Sequence, residues 1–324
     1  MKILVTGGAG YIGSCVVRNL LPQHEVVVYD NLSTGFKQAI PESVRFVLGD
    51  VRDKILLSRI LKDYKIEAVL HFAAKMVVPD SITDPASYYD NNTMGVLSLT
   101  EACRQNNINK IVFSSTAAVY GNAVTDGSLI SEKVRPEPLN PYGWSKWMSE
   151  QILQDAQTAY GIRSVCLRYF NVAGAHLEWS CGARQPNATH LIKVAAQAAL
   201  GQRKNVEIFG TDYPTKDGTC IRDFIHLQDL AVAHVLALDY LVQGQASEIL
   251  NCGYGQGSSV RDVLTTMQKV SNVPFVAAPR ARRPGDPVCV LADNTKIKSL
   301  LNWQPKYNDL EYICKTAFEW EKGL

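Results

Sequence analysis

Apolar, β-branched runs alternate with longer amphipathic stretches over the first half of the chain, and that rhythm predicts a wound α/β sheet. Lys2-Ile3-Leu4-Val5-Thr6 has the continuous apolar character of a strand covered on both faces. A helical stretch, Ile12 to Leu21, follows, and a second strand, Glu25 to Tyr29, ends at Asp30. Strand patterns recur at Arg45 to Leu48, Ala68 to Phe72 and Lys110 to Ser114, separated by helical patterns at Ile55 to Tyr64 and Ala86 to Gln105. Pro141 suits a helix start, which predicts a helix over Tyr142 to Tyr160 before a strand at Arg163 to Leu167. This is the pattern of a Rossmann-type, doubly wound parallel sheet. Past Asn171 the rhythm breaks. Loops rich in Gly, Pro and Asn (Gly182 to Asn187, Gly210 to Gly218, Arg280 to Pro287) interrupt short elements, as expected of a smaller C-terminal α/β lobe closing over a ligand. The expected division is 1–170 and 171–324, with segments near 220–240, such as Cys220 to Asp229, returning to the first domain.

Between the first strand and helix lies Gly7-Gly8-Ala9-Gly10-Tyr11-Ile12-Gly13, which carries two overlapping glycine patterns. Gly8, Gly10 and Gly13 satisfy G-x-G-x-x-G, and Gly7, Gly10 and Gly13 recur every third residue. Either spacing lets backbone approach a pyrophosphate at the N-terminus of the next helix. A glycine pattern alone says little, but the preceding strand, the following helix and a second strand ending in an acid make it a dinucleotide fingerprint. Asp30 stands where a carboxylate accepts hydrogen bonds from the adenine ribose hydroxyls and repels a 2′-phosphate, which favours NAD over NADP. Further on, Tyr142 and Lys146 are four residues apart, hence one turn apart on a helix face. Tyr-x-x-x-Lys recurs by chance in amphipathic helices. Joined to the fingerprint, it points to redox chemistry on an alcohol: a free tyrosine has a pKa of about 10, and bringing it to about 7 takes roughly 4 kcal/mol of preferential phenolate stabilisation. One lysine and a cationic nicotinamide are the expected sources.

A chain of 324 residues that is 46% hydrophobic can bury a large core and predicts two lobes. Its 33 basic and 31 acidic residues form no basic tract, which argues against a nucleic-acid or membrane surface and for a small-molecule partner. A core strand directly after Met1, with no apolar run of about 18 residues, implies neither signal peptide nor membrane span and a cytoplasmic location. The eight cysteines show no C-x-x-C spacing and the six histidines no paired-ligand spacing, so no metal site is expected.

Thr6, the glycine loop, Asp30-Asn31, Gly49-Asp50-Val51, His71-Phe72-Ala73-Ala74, Ser114-Ser115-Thr116, Val119-Tyr120-Gly121 and Tyr142/Lys146 occur in the order found in the extended short-chain dehydrogenase/reductase family, which the whole chain resembles. Arg168 to Ala175, Gly210 to Gly218 and Arg222-Asp223-Phe224-Ile225-His226 look like the UDP-galactose (UDP-glucose) 4-epimerases within it. That resemblance implies an NAD-binding first domain with contacts at Gly7, Gly10, Tyr11, Ile12, Gly13, Asp30, Asn31, Asp50, Val51, Phe72, Ala73, Ala74, Lys75, Asn91, Tyr142, Lys146 and Phe170. It implies catalysis by Tyr142, Lys146 and Thr116, and a UDP-sugar-binding lobe in which Asn171, Arg222, Arg283, Asp286 and Val290 join Thr116 and Tyr142 in holding the substrate. It also implies a homodimer built from the helices near Ala86 to Gln105 and Tyr142 to Tyr160. Trp144 and Trp147 read as packing residues, with Trp147 a candidate subunit contact.

The reaction so implied is removal of the C4 hydroxyl proton and hydride, followed by return of the hydride to the other face of a transient 4-keto sugar. A nucleotide-sugar 4,6-dehydratase shares the scaffold but needs an acid and a base to eliminate water. Relatives of that class carry an Asp-Glu pair after the threonine, where this chain has Ala117-Ala118. A non-catalytic NAD-responsive binding protein has no need of Thr116, Tyr142 and Lys146 together. Other UDP-sugar epimerases, acting on uronic or N-acetylated sugars, remain open. One departure bears on them: where relatives place a tyrosine against the sugar 2-position, this chain has Val290, either an ordinary wall residue or an opening for a 2-acetamido group.

Overall fold

The computed structural model describes residues 1–122, 127–185, 189–283 and 286–324. Pro186 and Asn187 of the expected loop Gly182 to Asn187, and Pro284 and Gly285 of the loop Arg280 to Pro287, lie outside the described residues. The chain forms two compact units: Met1–Gly121 with Pro136–Arg168 and Ala231–Leu250, and Asn122–Arg135 with Tyr169–Leu230 and Asn251–Leu324. The linear division therefore needs correction twice. Asn122–Arg135 belongs with the second unit, and of the stretch expected to return near 220–240 only the part from Ala231 does so.

In the first unit, β1 (Lys2–Thr6), β2 (Glu25–Asp30), β3 (Arg45–Leu48), β4 (Ala68–His71), β5 (Lys110–Thr116) and β6 (Arg163–Tyr169) join Glu248–Cys252 in one seven-stranded sheet. The order is Glu248–Cys252, β6, β5, β4, β1, β2, β3. β1 pairs in parallel with both β2 and β4, setting Ile3 beside Val26 on one side and Ala68 on the other. Strand side chains alternate faces, so burial of both sets marks a sheet covered twice. Leu4, Val27, Val69, Ile111 and Phe113 share one core with Leu57, Ile60 and Leu61 of α2 (Lys54–Asp63, after α1 at Tyr11–Leu20). Ile3, Val5, Val26 and Val28 are equally buried on the opposite face, where α1 brings Cys15, Val16, Val17 and Leu20.

The helix expected over Ala86 to Gln105 is broken into pieces. After α3 (Val78–Thr83) and the short α4 (Pro85–Tyr88) comes a π-helical turn, Tyr89–Met94, and only then α5 (Gly95–Gln105). The buried Asn92 side chain sits inside that wider turn: its Oδ1 accepts from Lys75 N (2.8 Å), and its Nδ2 donates to Lys75 O (3.0 Å) and Ser145 Oγ (2.9 Å). A regular α-helical turn would aim this amide elsewhere. By contrast α6 (Pro141–Tyr160) runs as expected from Pro141; the structure adds Asn140, which caps it by accepting from Gly143 N (2.9 Å), and Gly161, which ends it at φ +70°.

The second unit is assembled from two- and three-stranded pieces. Phe224–His226 pairs with Asn171–Ala173, Ala277–Arg280 with Val206–Phe209, and Ile221–Arg222 lies between Ser258–Ser259 and Cys289–Val290. Buried Asp223, between two of these strands, accepts from Tyr254 N (2.9 Å), Gly255 N (2.8 Å) and Ala292 N (3.2 Å). One carboxylate thus satisfies three donors that ladders this short leave over.

Candidate functional site

The glycine loop closes a turn that larger residues would block. Gly7 stands at φ +70°, and a Cβ there would lie 2.4 Å from Ala73 N. A Cβ on Gly13 would lie 2.3 Å from Gly7 O, so α1 can start close under the turn only with glycine at that position. Gly10 occupies the N-cap of α1 with no side chain to cap it, the geometry that leaves helix-end donors for a pyrophosphate; Tyr11 and Ile12 open the helix. This cradle fits a dinucleotide, and Asp30 at the end of β2 fits its ribose. The Asp30 carboxylate is fixed by Ala9 N (3.0 Å) and Leu32 N (2.8 Å); burial raises its pKa, and those two bonds oppose the rise. Asn31 Nδ2 donates to Asp50 Oδ2 (3.0 Å), and the Arg52 side chain, bonded to the same carboxylate, holds Asp50 well below the usual carboxylate range.

Val51 is buried against the start of α5, where a Cβ on Gly95 would meet Val51 Cγ2 at 2.8 Å. After β4, Phe72 packs its ring 4.7 Å from His234, and Ala73 and Ala74 lead to Lys75, whose ammonium lies 5.9 Å from the Tyr88 ring. Asn91 Nδ2 donates to Asn92 Oδ1 (3.0 Å). Asn92 is the residue that the sequence reading missed. It ties the Lys75 backbone to α6, and only the tertiary fold reveals that.

The reactive set converges at the end of β5. Thr116, its last residue, hydrogen-bonds the Tyr142 phenol. Burial pushes that phenol above its ordinary pKa, and the Thr116 bond pulls it partly back. Lys146 lies one turn further along α6, buried, with its ammonium donating to Ser114 O (2.7 Å) and 4.8 Å from the Phe113 ring. Burial lowers the Lys146 pKa to about 7, against raising influences from Glu150 and Cys166. The anchor of the lysine is thus a strand carbonyl. His71, bonded to Thr6 Oγ1 (2.7 Å), is pushed down to about 3 by burial and by the Lys146 charge, and stays a neutral neighbour.

Of the predicted substrate-side residues Thr116 and Tyr142 belong to the first unit, and Asn171, Arg222, Arg283, Asp286 and Val290 to the second, as does Phe170, which is buried with its N–H on Cys252 O (3.3 Å). Asn171 N donates to Asp223 O (3.0 Å). Arg222 is ion-paired with Asp286 and donates to Ile221 O (2.7 Å). The Arg283 guanidinium stacks 3.8 Å from the Phe209 ring centroid, and Val290, half-buried, is in register with Arg222 on the adjacent strand. Two arginines held by an acid and an aromatic face suit a diphosphate, because each guanidinium keeps further N–H donors. Among the described residues no cluster of three or more His, Cys, Asp or Glu could hold a metal ion, and no helix is long and apolar enough to cross a membrane.

A wound parallel sheet, a glycine cradle with its ribose acid and a Thr/Tyr/Lys set define a nicotinamide-dinucleotide protein of the short-chain dehydrogenase class. The chain belongs to the NAD dependent epimerase/dehydratase family, whose model matches residues 3–253. It is 51% identical to the UDP-glucose 4-epimerase of Azospirillum brasilense over 324 residues, which is 100% of this chain and 92% of that protein. Among solved structures, the UDP-glucose 4-epimerase of Brucella ovis in complex with NAD superposes with TM-score 0.94 at 42% identity, over 98% of this chain and 97% of that one. The UDP-Glc/GlcNAc 4-epimerase of Campylobacter jejuni superposes with TM-score 0.88 at 48% identity, over 100% and 99%.

Proposed function

We propose that this protein is an NAD-dependent 4-epimerase that interconverts UDP-galactose and UDP-glucose through a transient 4-keto sugar. The reading rests on Thr116, Tyr142 and Lys146 meeting at the end of β5 in a chain that matches UDP-glucose 4-epimerases over its full length. NAD, held by the glycine cradle and Asp30, supplies the acceptor and donor of hydride. Tyr142 takes the C4 hydroxyl proton as a phenolate and later returns it, Thr116 aligns that hydroxyl, and Lys146 carries the compensating charge. Arg222, Arg283, Asp286 and Asn171 hold the UDP end, so that binding energy falls on the nucleotide and the sugar is free to present either face. Ala117 and Ala118 offer no proton for the elimination step of a dehydratase.

Purified protein is expected to carry NAD and to interconvert the two UDP-hexoses without added cofactor. Turnover only with stoichiometric reduction of external NAD would make it a dehydrogenase. The N-acetylated UDP-hexosamines are a second substrate pair, favoured by Val290 in place of a larger side chain. The working form is a homodimer: Met94, Leu97, Trp144 and Met148 are exposed apolar side chains along the two crossover helices, and Trp144 packs 5.2 Å from Trp147. A monomeric mass by light scattering at micromolar concentration would refute the dimer alone. Its place is the cytoplasm, whose reducing conditions suit eight cysteine thiols.

A further inference from the structure

One buried ion pair stands directly beside the proposed reactive set. Glu150 follows Lys146 by four residues on α6 and Tyr142 by eight, so all three share a helix face. Its carboxylate is gripped by Arg168 of β6, through Nε to Oε1 (3.0 Å) and Nη2 to Oε2 (2.5 Å), and it also accepts from Ser115 Oγ. The Arg168 and Glu150 side chains are 2% and 0% exposed. Consecutive residues of β5 thus take one partner each: Ser114 O receives the Lys146 ammonium, and Ser115 Oγ holds the Glu150 carboxylate. Arg168 in turn lies 4.8 Å from the Tyr120 ring, which fixes it from behind. A fully buried carboxylate is costly, and pairing it one helical turn from another buried ionisable group couples their charges.

We infer that Glu150 is a positioning residue that keeps Lys146 protonated, so that the lysine charge favours ionisation of the Tyr142 phenol. Burial alone would leave both groups neutral, which is the inactive arrangement. A negative charge nearer the lysine than the tyrosine favours the lysinium–phenolate arrangement instead. The other titratable groups around the pair do not replace it. Burial and the Lys146 charge push His71 of β4 down to about 3, burial raises the Cys166 thiol of β6, and burial raises the Tyr88 phenol, edge-on to Tyr142. Arg168 carries the opposite charge, so its removal should act in the opposite sense.

This inference rests on Tyr142 being the base, and the test separates the two ideas. The pH profile of turnover and the ultraviolet absorbance of tyrosinate are followed in the holoenzyme, with Tyr142→Phe as the blank. E150Q is expected to move the acid limb and the tyrosinate midpoint up by roughly one pH unit. The double variant E150Q/R168Q removes both charges together, which buried sites tolerate better than a broken pair, and should move them up by less. R168Q should not raise them. A limb unmoved in the double variant, with only the melting temperature lowered, makes the pair mere scaffolding and overturns the inference. Full turnover in Tyr142→Phe would instead overturn the assignment of the base.

Discussion

The two units hold their functional residues by different physical means. In the first, the proposed reactive groups are buried and held on or beside a long sheet: Tyr142 by Thr116 and Lys146 by the Ser114 carbonyl of β5, and Asp30, at the end of β2, by the loop N–H groups of Ala9 and Leu32. In the second, Asn171 and Arg222 of the proposed nucleotide-binding groups sit on strands of three and two residues and Arg283 and Asp286 in a loop, with Arg222 held by Asp286 and Arg283 by the Phe209 ring. The contrast follows the task. Shifting a pKa by several units needs low dielectric and fixed dipoles, which only a double-covered sheet provides. Gripping a diphosphate needs guanidinium donors held in place, which an acid and an aromatic face provide.

Substitutions in the first unit should therefore abolish cofactor retention or chemistry outright. The largest effect is expected for Gly13→Ala, whose Cβ would press within 2.3 Å of the Gly7 carbonyl, a backbone atom without freedom to yield. Protein purified from this variant should lack NAD absorbance and show no detectable turnover; full cofactor content would mean that the turn has slack. Tyr142→Phe comes next. It keeps the ring and the cradle, so NAD should remain bound while turnover falls by about 10²-fold or more, the scale of a positioned proton-transfer group. Near-normal turnover at neutral pH would place the base elsewhere.

In the second unit the expected loss is one of binding. Arg222→Ala removes a charged donor and leaves Asp286 without its partner, which should weaken UDP binding by roughly 10- to 100-fold, about 1.5–3 kcal/mol for a charged hydrogen bond. Bound NAD should be unchanged. Isothermal titration with UDP, alongside the NAD content of the same sample, reads both quantities at once. If Arg222→Ala sheds NAD as readily as Gly13→Ala does, the functional contrast between the units disappears.

The two units were also unequally legible in the sequence. β1, the glycine loop, α1 and β2 ending at Asp30 are local signals whose parts lie within thirty residues, and the boundaries agree to within a residue or so. Pro141 likewise marks the start of α6. What sequence could not show were interactions joining distant residues: Asn92 between Lys75 and Ser145, and Arg168 with Glu150. A glutamate spaced on the same face as Tyr142 and Lys146 was visible, but a charged residue on a helix usually faces water. The π-helical turn was hidden because the apolar spacing of Ala86 to Gln105 suits a continuous helix. In the second unit, strands of two or three residues have no periodicity to read, so the return of Glu248–Cys252 to the large sheet in place of Cys220–Asp229 emerges only from the fold.

The smallest expected effect is one of selectivity, and it tests whether the second unit also decides which sugar is accepted. Val290 lies on a two-residue strand in register with Arg222, half-buried, with its carbonyl accepting from Asp223 N (3.2 Å). Asp223 is itself fixed by three backbone donors, so the backbone at Val290 has little freedom to move aside. Substitution there should act through side-chain volume alone. The unmodified enzyme is expected to epimerise UDP-N-acetylhexosamines as well as UDP-hexoses. Val290→Tyr should suppress the first reaction by roughly 10-fold or more while leaving UDP-galactose turnover within about twofold, since a clash with a 2-acetamido group discriminates by exclusion. Separation of the sugar products from paired reactions gives the ratio directly. Equal losses on both substrates would show that the tyrosine disturbs the Arg222 strand, and Val290 would then be a packing residue with no part in selectivity.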